Sequence, residues 1–258
     1  MAWALITGAS EGLGREFADI AAADGYDLIL SARSADKLEL VATEARLRHK
    51  VQAVVIPADL SLAGEAERLW DAACMGRAIA VLVNNAGLGR NGDFSDPDGW
   101  AREEASLQVN AVALTLLMKR AVVDMVRLGE GRILNVGSTA GFVPGPNMAV
   151  YHATKAYVLS LTEAVADELR ASNVMVTVLC PGATQTSFFK ADDAEGATWL
   201  TKMPLPSARS VAQAGWTAMK AGKRIMVPGV QNKISAFLPR ITPRWLTARI
   251  TGALLARR

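Results

Sequence analysis

The 258-residue chain has little of several features, and each scarcity argues against a class of protein. No apolar run approaches the roughly 20 uninterrupted residues that a membrane-spanning helix needs. The first eight residues reach a glycine without a basic start, which argues against a signal peptide. Two cysteines, Cys74 and Cys180, are too few for a structural zinc site, and their apolar surroundings indicate small buried thiols. We therefore expect a cytoplasmic protein without a metal site.

Acidic residues are absent from the last quarter of the sequence. No Asp or Glu follows Glu195, whereas residues 196–258 contain eleven Lys or Arg and so carry a charge of +11. Because the whole chain carries +3, a charge of −8 remains on residues 1–195. A basic segment of this kind is typical of a contact with an anionic partner, or simply of a solvated surface.

The composition itself is that of an ordinary globular domain, with 51% hydrophobic and 21% charged residues. Short apolar runs alternate with helix-like segments. The predicted strands cover residues 2–7, 26–31, 51–57, 78–83, 132–136, 173–179 and 224–227. The predicted helices cover residues 15–24, 34–50, 61–74, 100–128, 151–170 and 207–221. This alternation predicts a single α/β domain over residues 1–258, with a mostly parallel seven-stranded sheet and helices on both faces.

A glycine cluster joins the first predicted strand to the first predicted helix. It reads Gly8-Ala-Ser-Glu-Gly12-Leu-Gly14. Glycines let a backbone approach a phosphate closely, and a helix N-terminus offers free N–H groups and the positive end of the helix dipole. The cluster therefore indicates a phosphate-binding loop, although a merely flexible turn has the same composition.

The end of the second predicted strand lacks a carboxylate and contains an arginine. The sequence there is Leu30-Ser31-Ala32-Arg33-Ser34. An acid at this position binds the ribose 2′-OH of NAD, whereas an arginine accommodates the 2′-phosphate of NADP. The segment therefore favours NADP(H) over NAD(H); alternatively, Arg33 is a surface residue near the start of the next helix.

Further polar motifs follow later strands. Asn84-Asn85-Ala86-Gly87 comes after the fourth strand, where ligands bind in open α/β sheets. The sixth strand ends at Cys180-Pro181-Gly182-Ala-Thr184. Asn110 lies within an apolar stretch of a predicted helix, and by spacing alone it is a structural residue that either bonds across a packed helix or bends its own helix.

A strand-end serine and two residues of the next helix form a candidate reactive set. Ser138 follows the fifth strand, and Tyr151 and Lys155 are four residues apart, so they share a helix face. An ammonium beside a phenol favours the phenolate, which predicts that the tyrosine pKa is lowered. His152 points about 100° away from Tyr151 and is predicted to be structural.

Taken in order, these motifs resemble those of the short-chain dehydrogenase/reductase family. The resemblance covers roughly residues 2–230 and implies a doubly wound Rossmann fold. It is carried by Thr7-Gly8-x-x-x-Gly12-x-Gly14, Asp59-Leu60, Asn84-Asn85-Ala86-Gly87, Asn110, Ser138, Tyr151-x-x-x-Lys155 and Pro181-Gly182-x-Thr184.

The resemblance assigns a role to each motif. It implies that the pyrophosphate is bound by Gly8, Ser10, Gly12, Leu13 and Gly14. Asp59 and Leu60 would flank the adenine, and Arg33 would bind the 2′-phosphate. The adenosine side would be lined by Asn85, Ala86 and Gly87. The nicotinamide and its phosphate would contact Pro181, Gly182 and Thr184.

The resemblance also implies the catalytic residues. Tyr151 would be the general acid in carbonyl reduction and the base in the reverse reaction. Lys155 would lower the tyrosine pKa and bind the nicotinamide ribose, and Ser138 would hydrogen-bond the substrate oxygen. Asn110 would hold a water that relays protons from Lys155, which replaces the structural interpretation given above.

We therefore expect an NADP(H)-dependent oxidoreductase that acts on a carbonyl or secondary alcohol. Residues 185–206 are irregular and apolar, which indicates either a substrate lid or a buried connection. A lid of this composition favours a hydrophobic substrate such as a 3-oxoacyl, steroid-like or aryl ketone. The alternative is a non-catalytic NADP-binding protein that acts through its C-terminal segment.

The C-terminal segment, residues 229–258, is basic and amphipathic. Residues 244–258 could form one helix with Trp and Leu on one face. The resemblance favours a homodimer or homotetramer contact, and a contact with a membrane surface is the second possibility. Nucleic acid is a poor candidate partner because no recognition module is present.

Overall fold

We describe the protein from a computed structural model, which describes residues 2–185 and 205–255. Most of the predicted lid (185–206) and the last three residues of the C-terminal segment lie outside these ranges. A seven-stranded, all-parallel sheet forms the centre of the fold, with strand order β3-β2-β1-β4-β5-β6-β7. The strands are β1 (Trp3–Thr7), β2 (Asp27–Ser31), β3 (Ala53–Val55), β4 (Ile79–Asn84), β5 (Gly131–Val136), β6 (Val174–Leu179) and β7 (Ile225–Met226).

Helices connect the strands and continue after β7. They are α1 (Gly12–Ala23), α2 (Ala35–His49), α3 (Glu65–Cys74), α4 (Trp100–Leu107), α5 (Leu114–Leu128), α6 (Ala149–Glu168), α7 (Ala208–Lys220), α8 (Val230–Phe237) and α9 (Arg244–Leu255). A π-helical turn, Gln108–Ala113, joins α4 to α5. Short 3₁₀ helices cover Pro97–Gly99, Thr139–Phe142 and Leu238–Arg240.

The hydrophobic core forms two layers, one on each face of the sheet. Phe17 of α1 and Trp216 of α7 are fully buried on one face, where α2 also packs. Trp70 of α3 and Leu117 of α5 are buried on the opposite face. The predicted doubly wound α/β fold is thereby confirmed. The order of the strands reverses between β1 and β4, and ligands bind at such a point in this fold class, at the carboxyl ends of the strands.

Element boundaries differ from the prediction in a few places. Helix α1 begins at Gly12 rather than Arg15, because the glycines belong to its first turn. Strand β3 covers only three of the seven predicted residues. The predicted helix over 100–128 contains the π-helical turn, and α8 was not predicted as a helix. Ser207 caps α7 as expected, since its side chain accepts a hydrogen bond from the Ser210 N–H.

Two chain segments on either side of the undescribed stretch are joined by the sheet-like pairing of Gln185 with Ser207. The Gln185 N–H donates to the Pro206 carbonyl at 3.1 Å. The two described segments that flank residues 186–204 therefore lie next to each other. Within residues 2–185 and 205–255, no helix has the length and apolar character needed to cross a bilayer.

Candidate active site

The glycine loop after β1 forms an open cradle. Gly8 has φ +64°, a left-handed conformation that favours glycine. A Cβ placed on Gly14 would lie 2.0 Å from the Gly8 carbonyl oxygen, so no larger residue fits at that position. Glu11 precedes α1 without capping it by its side chain, and the first turn contains no acidic residue. The N–H groups of this turn are therefore available to a phosphate, and the loop fits a dinucleotide.

Asn85 ties the glycine loop to the turn after β4. Its Nδ2 donates to the carbonyls of Thr7, at 2.9 Å, and Gly8, at 3.1 Å. In return, Thr7 Oγ1 accepts hydrogen bonds from the backbone N–H groups of Asn85 and Ala86, both at 3.0 Å. The motif thus joins two loops at the switch point of the sheet. Asn84 instead turns into the core, where its Nδ2 donates to Asn135 Oδ1 at 3.0 Å.

Gly87 lies where Asn110 and Lys155 converge. A Cβ at this position would be 3.3 Å from Asn110 Oδ1 and 3.5 Å from Lys155 Nζ. A side chain on residue 87 would therefore press against both polar groups. The resemblance places Gly87 beside the adenosine. In the structure, Gly87 lies near Asn110 and Lys155, two of the predicted catalytic residues.

Asn110 is almost completely buried and lies in the π-helical turn between α4 and α5. Its Oδ1 accepts from the Leu88 N–H at 2.9 Å, and its Nδ2 donates to the Leu88 carbonyl at 2.7 Å. A second bond joins Nδ2 to Thr154 Oγ1 at 3.0 Å. Asn110 therefore links the loop after β4 to helix α6, in agreement with the structural interpretation from spacing. The proton-relay role stays a prediction.

Ser138, Tyr151 and Lys155 come together beyond the end of β5. The Tyr151 phenol hydrogen-bonds the Ser138 side chain. Ser138 Oγ also accepts from the Ala140 N–H at 3.1 Å and lies 3.5 Å from the Pro181 carbonyl oxygen. Lys155 Nζ lies 5.8 Å from the centre of the tyrosine ring and donates to the Val136 carbonyl at 2.9 Å. A hydroxyl, a phenol and an ammonium thus share one edge of the sheet.

Burial dominates the electrostatics of the tyrosine and the lysine. It raises the pKa of the Tyr151 phenol, and the hydrogen bond from Ser138 offsets only part of that rise. It also lowers the pKa of Lys155 from 10.5 to about 8. The sequence-based expectation of a lowered tyrosine pKa is therefore wrong for the protein by itself. The free-energy cost of burying a phenolate exceeds the stabilisation that neighbouring groups give it. The Lys155 ammonium donates its hydrogen bond to the Val136 carbonyl.

The loops after β5 and β6 are bonded to each other. The Thr139 N–H donates to the Pro181 carbonyl at 2.9 Å. Thr184 Oγ1 donates to the Gly182 carbonyl at 3.0 Å, which shapes the loop from within. A Cβ on Gly182 would lie 2.4 Å from Asn232 Oδ1, so α8 packs directly on this loop. The residues predicted to contact the nicotinamide therefore adjoin Ser138.

The residues predicted to bind the adenosine end stand at the ends of β2 and β3. Arg33 is solvent-exposed, and no carboxylate among residues 2–185 and 205–255 forms an ion pair with it. Ser31 Oγ is buried and lacks a hydrogen-bond partner among the described residues. Asp59 Oδ1 accepts from the Ser61 N–H and hydroxyl, at 3.1 and 2.6 Å. Leu60 is largely buried and contributes to the core.

His152 packs into the loop that precedes α6. Its Nδ1 lies 2.9 Å from the Val143 carbonyl oxygen, and its ring fills the space over Gly145. Burial lowers the pKa of the imidazole. These contacts agree with the predicted structural role, since the ring holds the segment that connects Ser138 to Tyr151.

Thr154 is a residue of the site that the sequence analysis missed. Its Oγ1 accepts from Asn110 and donates to the Tyr151 carbonyl at 2.8 Å. It therefore connects the π-helical turn to the backbone of the tyrosine. Its position next to Lys155 was a possible signal, but a threonine on a helix often bonds only its own backbone.

Comparison with known proteins agrees with this arrangement. The family model of the short chain dehydrogenases matches residues 2–196. The very-long-chain 3-oxoacyl-CoA reductase of Bos taurus is 31% identical over 196 residues, which cover 73% of this chain and 61% of that protein. The 7beta-hydroxysteroid dehydrogenase of Collinsella aerofaciens is 34% identical over 184 residues, 71% of this chain and 69% of that protein. This chain thus spans less than two thirds of the bovine reductase.

Solved structures of related proteins contain either nicotinamide cofactor. A short-chain dehydrogenase from Sphingobium yanoikuyae in complex with NADPH superimposes with a TM-score of 0.81 at 29% identity, over 89% of both chains. A 3-ketoacyl-(acyl-carrier-protein) reductase from Brucella melitensis complexed with NADH gives a TM-score of 0.76 at 27% identity, over 88% of this chain and 96% of that one. From its sequence and its fold, the chain belongs to the short-chain dehydrogenase/reductase family.

Proposed function

We propose that the protein is an NADP(H)-dependent oxidoreductase that interconverts a carbonyl and a secondary alcohol on a hydrophobic substrate. The observation that carries the proposal is the meeting of Ser138, Tyr151 and Lys155 at the carboxyl edge of the sheet. The open glycine cradle lies at the same edge, after β1. A protein that only binds a dinucleotide has no need of a phenol placed against a serine hydroxyl.

The proposed mechanism divides the work among these side chains. A bound nicotinamide supplies the hydride. Tyr151 donates its phenolic proton to the oxygen that becomes the alcohol, and its raised pKa keeps it protonated at neutral pH. Ser138 hydrogen-bonds the same substrate oxygen and so orients the carbonyl. Lys155, whose pKa is about 8, is mostly charged at pH 7 and binds the ribose hydroxyls.

The proposed preference for NADP(H) depends on the end of β2. Arg33 is exposed, and among the described residues no acid competes for its guanidinium. Residues 31–34 contain no carboxylate to bind an unphosphorylated ribose, and Ser34 caps α2. An exposed guanidinium in this position suits a 2′-phosphate through paired, charge-assisted hydrogen bonds.

The proposed substrate class draws on the relatives. The bovine relative is a very-long-chain 3-oxoacyl-CoA reductase, and the Collinsella relative is a 7beta-hydroxysteroid dehydrogenase. Both names refer to substrates with a large apolar part, a very long acyl chain in one case and a steroid in the other. The apolar sequence of residues 185–206 agrees with such a substrate, although residues 186–204 lie outside the described part of the structure.

A tyrosine-to-phenylalanine exchange tests the reaction. We expect Tyr151→Phe to lower kcat/KM by about 10²–10⁴-fold because it removes the proton donor. The assay follows NADPH absorbance with a panel of 3-oxoacyl, steroid and aryl ketones. The matched control is Tyr157→Phe on the same helix, since Tyr157 is exposed and its hydroxyl bonds Thr115 Oγ1 outside the site. This control should retain the activity of the wild type.

The same assay separates the enzyme from the alternative, a non-catalytic NADP-binding protein. If wild type and Tyr151→Phe turn over every carbonyl equally poorly while both bind NADPH, the catalytic proposal is wrong. The predicted homodimer or homotetramer and the cytoplasmic location stay predictions. We also propose a membrane contact of the C-terminal segment.

A further inference from the structure

Helix α8 and the 3₁₀ turn after it present an apolar stripe to solvent. The stripe repeats at intervals of three and four residues, which places its members on one helical face. Ala236 is the buried residue of α8 and marks the opposite face. The helix therefore turns its large apolar side chains to solvent and buries only a small one. The exposed side chains of the stripe are Val230, Ile234, Phe237, Leu238 and Ile241.

Helix α9 also exposes large apolar side chains. Thr247 is its buried residue, whereas its large apolar side chains are exposed. These side chains are Trp245, Leu246, Ile250 and Leu254. Together with the stripe on α8, they form what we call the α8–α9 surface. Its nine apolar residues are between 36% and 73% exposed, and exposed apolar residues in such number on two successive helices mark an interaction site.

The charge of the α8–α9 surface has one sign. Exposed cations accompany the apolar residues, and they are Lys233, Arg240, Arg244 and Arg249. The Arg249 guanidinium lies 5.4 Å from the centre of the Trp245 ring, so cation and aromatic residue share a face. Residues 205–255 contain no Asp or Glu to neutralise them. None of these four cations forms an ion pair within the described part of the chain. Apolar side chains beside such cations match a lipid bilayer, which has an apolar interior and anionic headgroups.

The α8–α9 surface borders the candidate active site. Asn232 of α8 packs against Gly182 in the loop after β6. Gly252 of α9 approaches Pro146, since a Cβ there would lie 3.1 Å from Pro146 Cγ. Pro146 belongs to the segment between Ser138 and Tyr151. Both helices are thereby attached to the loops that form the site.

We propose that the α8–α9 surface docks the protein on the surface of a bilayer rich in anionic lipids. Its tryptophan and aliphatic side chains would enter the headgroup boundary while the four cations contact lipid phosphates. If the proposed function also holds, this docking would bring the site next to the membrane, from which hydrophobic carbonyl substrates could enter. The docking itself does not depend on the reaction.

A second copy of the chain is a weaker candidate for the same surface. A two-fold contact places identical patches against each other. Lys233, Arg240, Arg244 and Arg249 would then face one another, and the described residues of this segment offer no acid to pair with them. An anionic lipid surface satisfies all four cations at once.

Co-sedimentation with vesicles tests the docking. We expect the full-length protein to bind vesicles that mix phosphatidylcholine with phosphatidylglycerol, and to bind pure phosphatidylcholine at least about tenfold less, since each cation near an anionic surface contributes about fivefold. Ile234→Glu/Trp245→Glu should reduce binding at least about tenfold. The matched control is Leu40→Glu/Leu47→Glu, two equally exposed apolar residues on α2, and it should bind as the wild type does.

Three outcomes overturn the docking proposal: no binding to anionic vesicles, equal loss of binding in both double variants, or a change of oligomeric state in solution caused by Ile234→Glu/Trp245→Glu. Thermal unfolding checks that each variant is folded. Lys233→Gln/Arg240→Gln/Arg249→Gln provides a second test that retains the apolar residues, and it should also lose binding to anionic vesicles. Sedimentation needs neither substrate nor turnover, so a failure of the proposed reaction would not be mistaken for a failure of docking.

Discussion

Tyr151 and Lys155 respond in opposite ways to the same burial. Removal from water disfavours any charge, so it keeps the phenol neutral and brings the pKa of the ammonium down to about 8. At pH 7 the pair therefore consists of a neutral acid and a mostly charged lysine. This is the combination that carbonyl reduction needs, because the phenol still has its proton to give.

Arg33 provides the residue-scale test of cofactor choice. Replacing Arg33 with Ala should raise the KM for NADPH about 10- to 100-fold and leave the KM for NADH within about twofold, because a charge-assisted hydrogen bond to the 2′-phosphate is lost. Steady-state kinetics with both cofactors measure the effect. Arg127→Ala, an exposed arginine on α5, is the control. Equal changes for NADPH and NADH would contradict the assignment of Arg33.

At the scale of elements, the π-helical turn between α4 and α5 decides where Asn110 points. The wider turn brings the amide to the backbone of Leu88 and to Thr154 on α6. Turns of this kind inside α-helices are frequent at functional sites. The hydrogen bonds thus join three elements around Lys155, namely the loop after β4, the π-helical turn and α6.

Thr154→Val tests this connection between elements. The exchange preserves shape and leaves the Asn110 amide without one acceptor, so we expect kcat/KM to fall about tenfold. Thr154→Ser should restore activity to within about twofold, which loss of packing alone would not allow. Thr115→Val, which removes a hydroxyl that bonds the exposed Tyr157, is the control. Unchanged kinetics in Thr154→Val would show that Thr154 does not position Asn110 or Tyr151.

Most elements could be predicted from the sequence because apolar runs and glycines mark strand ends directly. All seven strands were expected, and the boundaries of α2 and α7 differ from expectation by one residue at each end. The π-helical turn could not be predicted, since its residues have ordinary helical composition. Helix α8 was missed for a different reason: its apolar residues face solvent, and the pattern carries no sign of which side is buried.

At the scale of the whole molecule, the order of motifs along the chain could be predicted but their contacts could not. Asn85 bonds residues 77 and 78 positions earlier. Gly87 lies near both Asn110 and Lys155, a proximity that no local pattern predicts. The tyrosine pKa was predicted from a neighbouring charge alone, because the extent of burial depends on the folded chain.

The free energy of unfolding should depend on pH through the buried ammonium of Lys155. Its pKa is about 8 when folded and about 10.5 when unfolded, so the folded state bears the full cost of burying the charge below pH 8. Between pH 8 and 10.5 the unfolded chain binds more protons, and the free energy of unfolding contributed by Lys155 therefore rises with pH. Relative to Lys155→Met, we expect the wild type to gain up to about 3 kcal/mol over this window.

Urea unfolding of both proteins at pH 7.5 and 9.5, without cofactor, covers most of this window, and the difference between them should grow by about 2 kcal/mol. Burial raises the pKa of Cys180 to about 12, so this thiol opposes the trend above pH 9. Because the Lys155 charge also lowers the pKa of Cys180, the two proteins are compared with Cys180→Ala in both, which removes the thiol from the comparison. A difference that stays flat or falls with pH would contradict the burial of a charged Lys155.

The pairing of Gln185 with Ser207 holds together the two segments that flank residues 186–204. Because Gln185 and Ser207 are paired, the distance between the two segments that flank residues 186–204 is set by that contact. Lengthening a closed segment costs little, since the closure entropy grows only with the logarithm of its length. If residues 186–204 form the predicted lid, replacing them with the corresponding stretch of a relative should alter substrate preference and leave the sheet and Tyr151 in place.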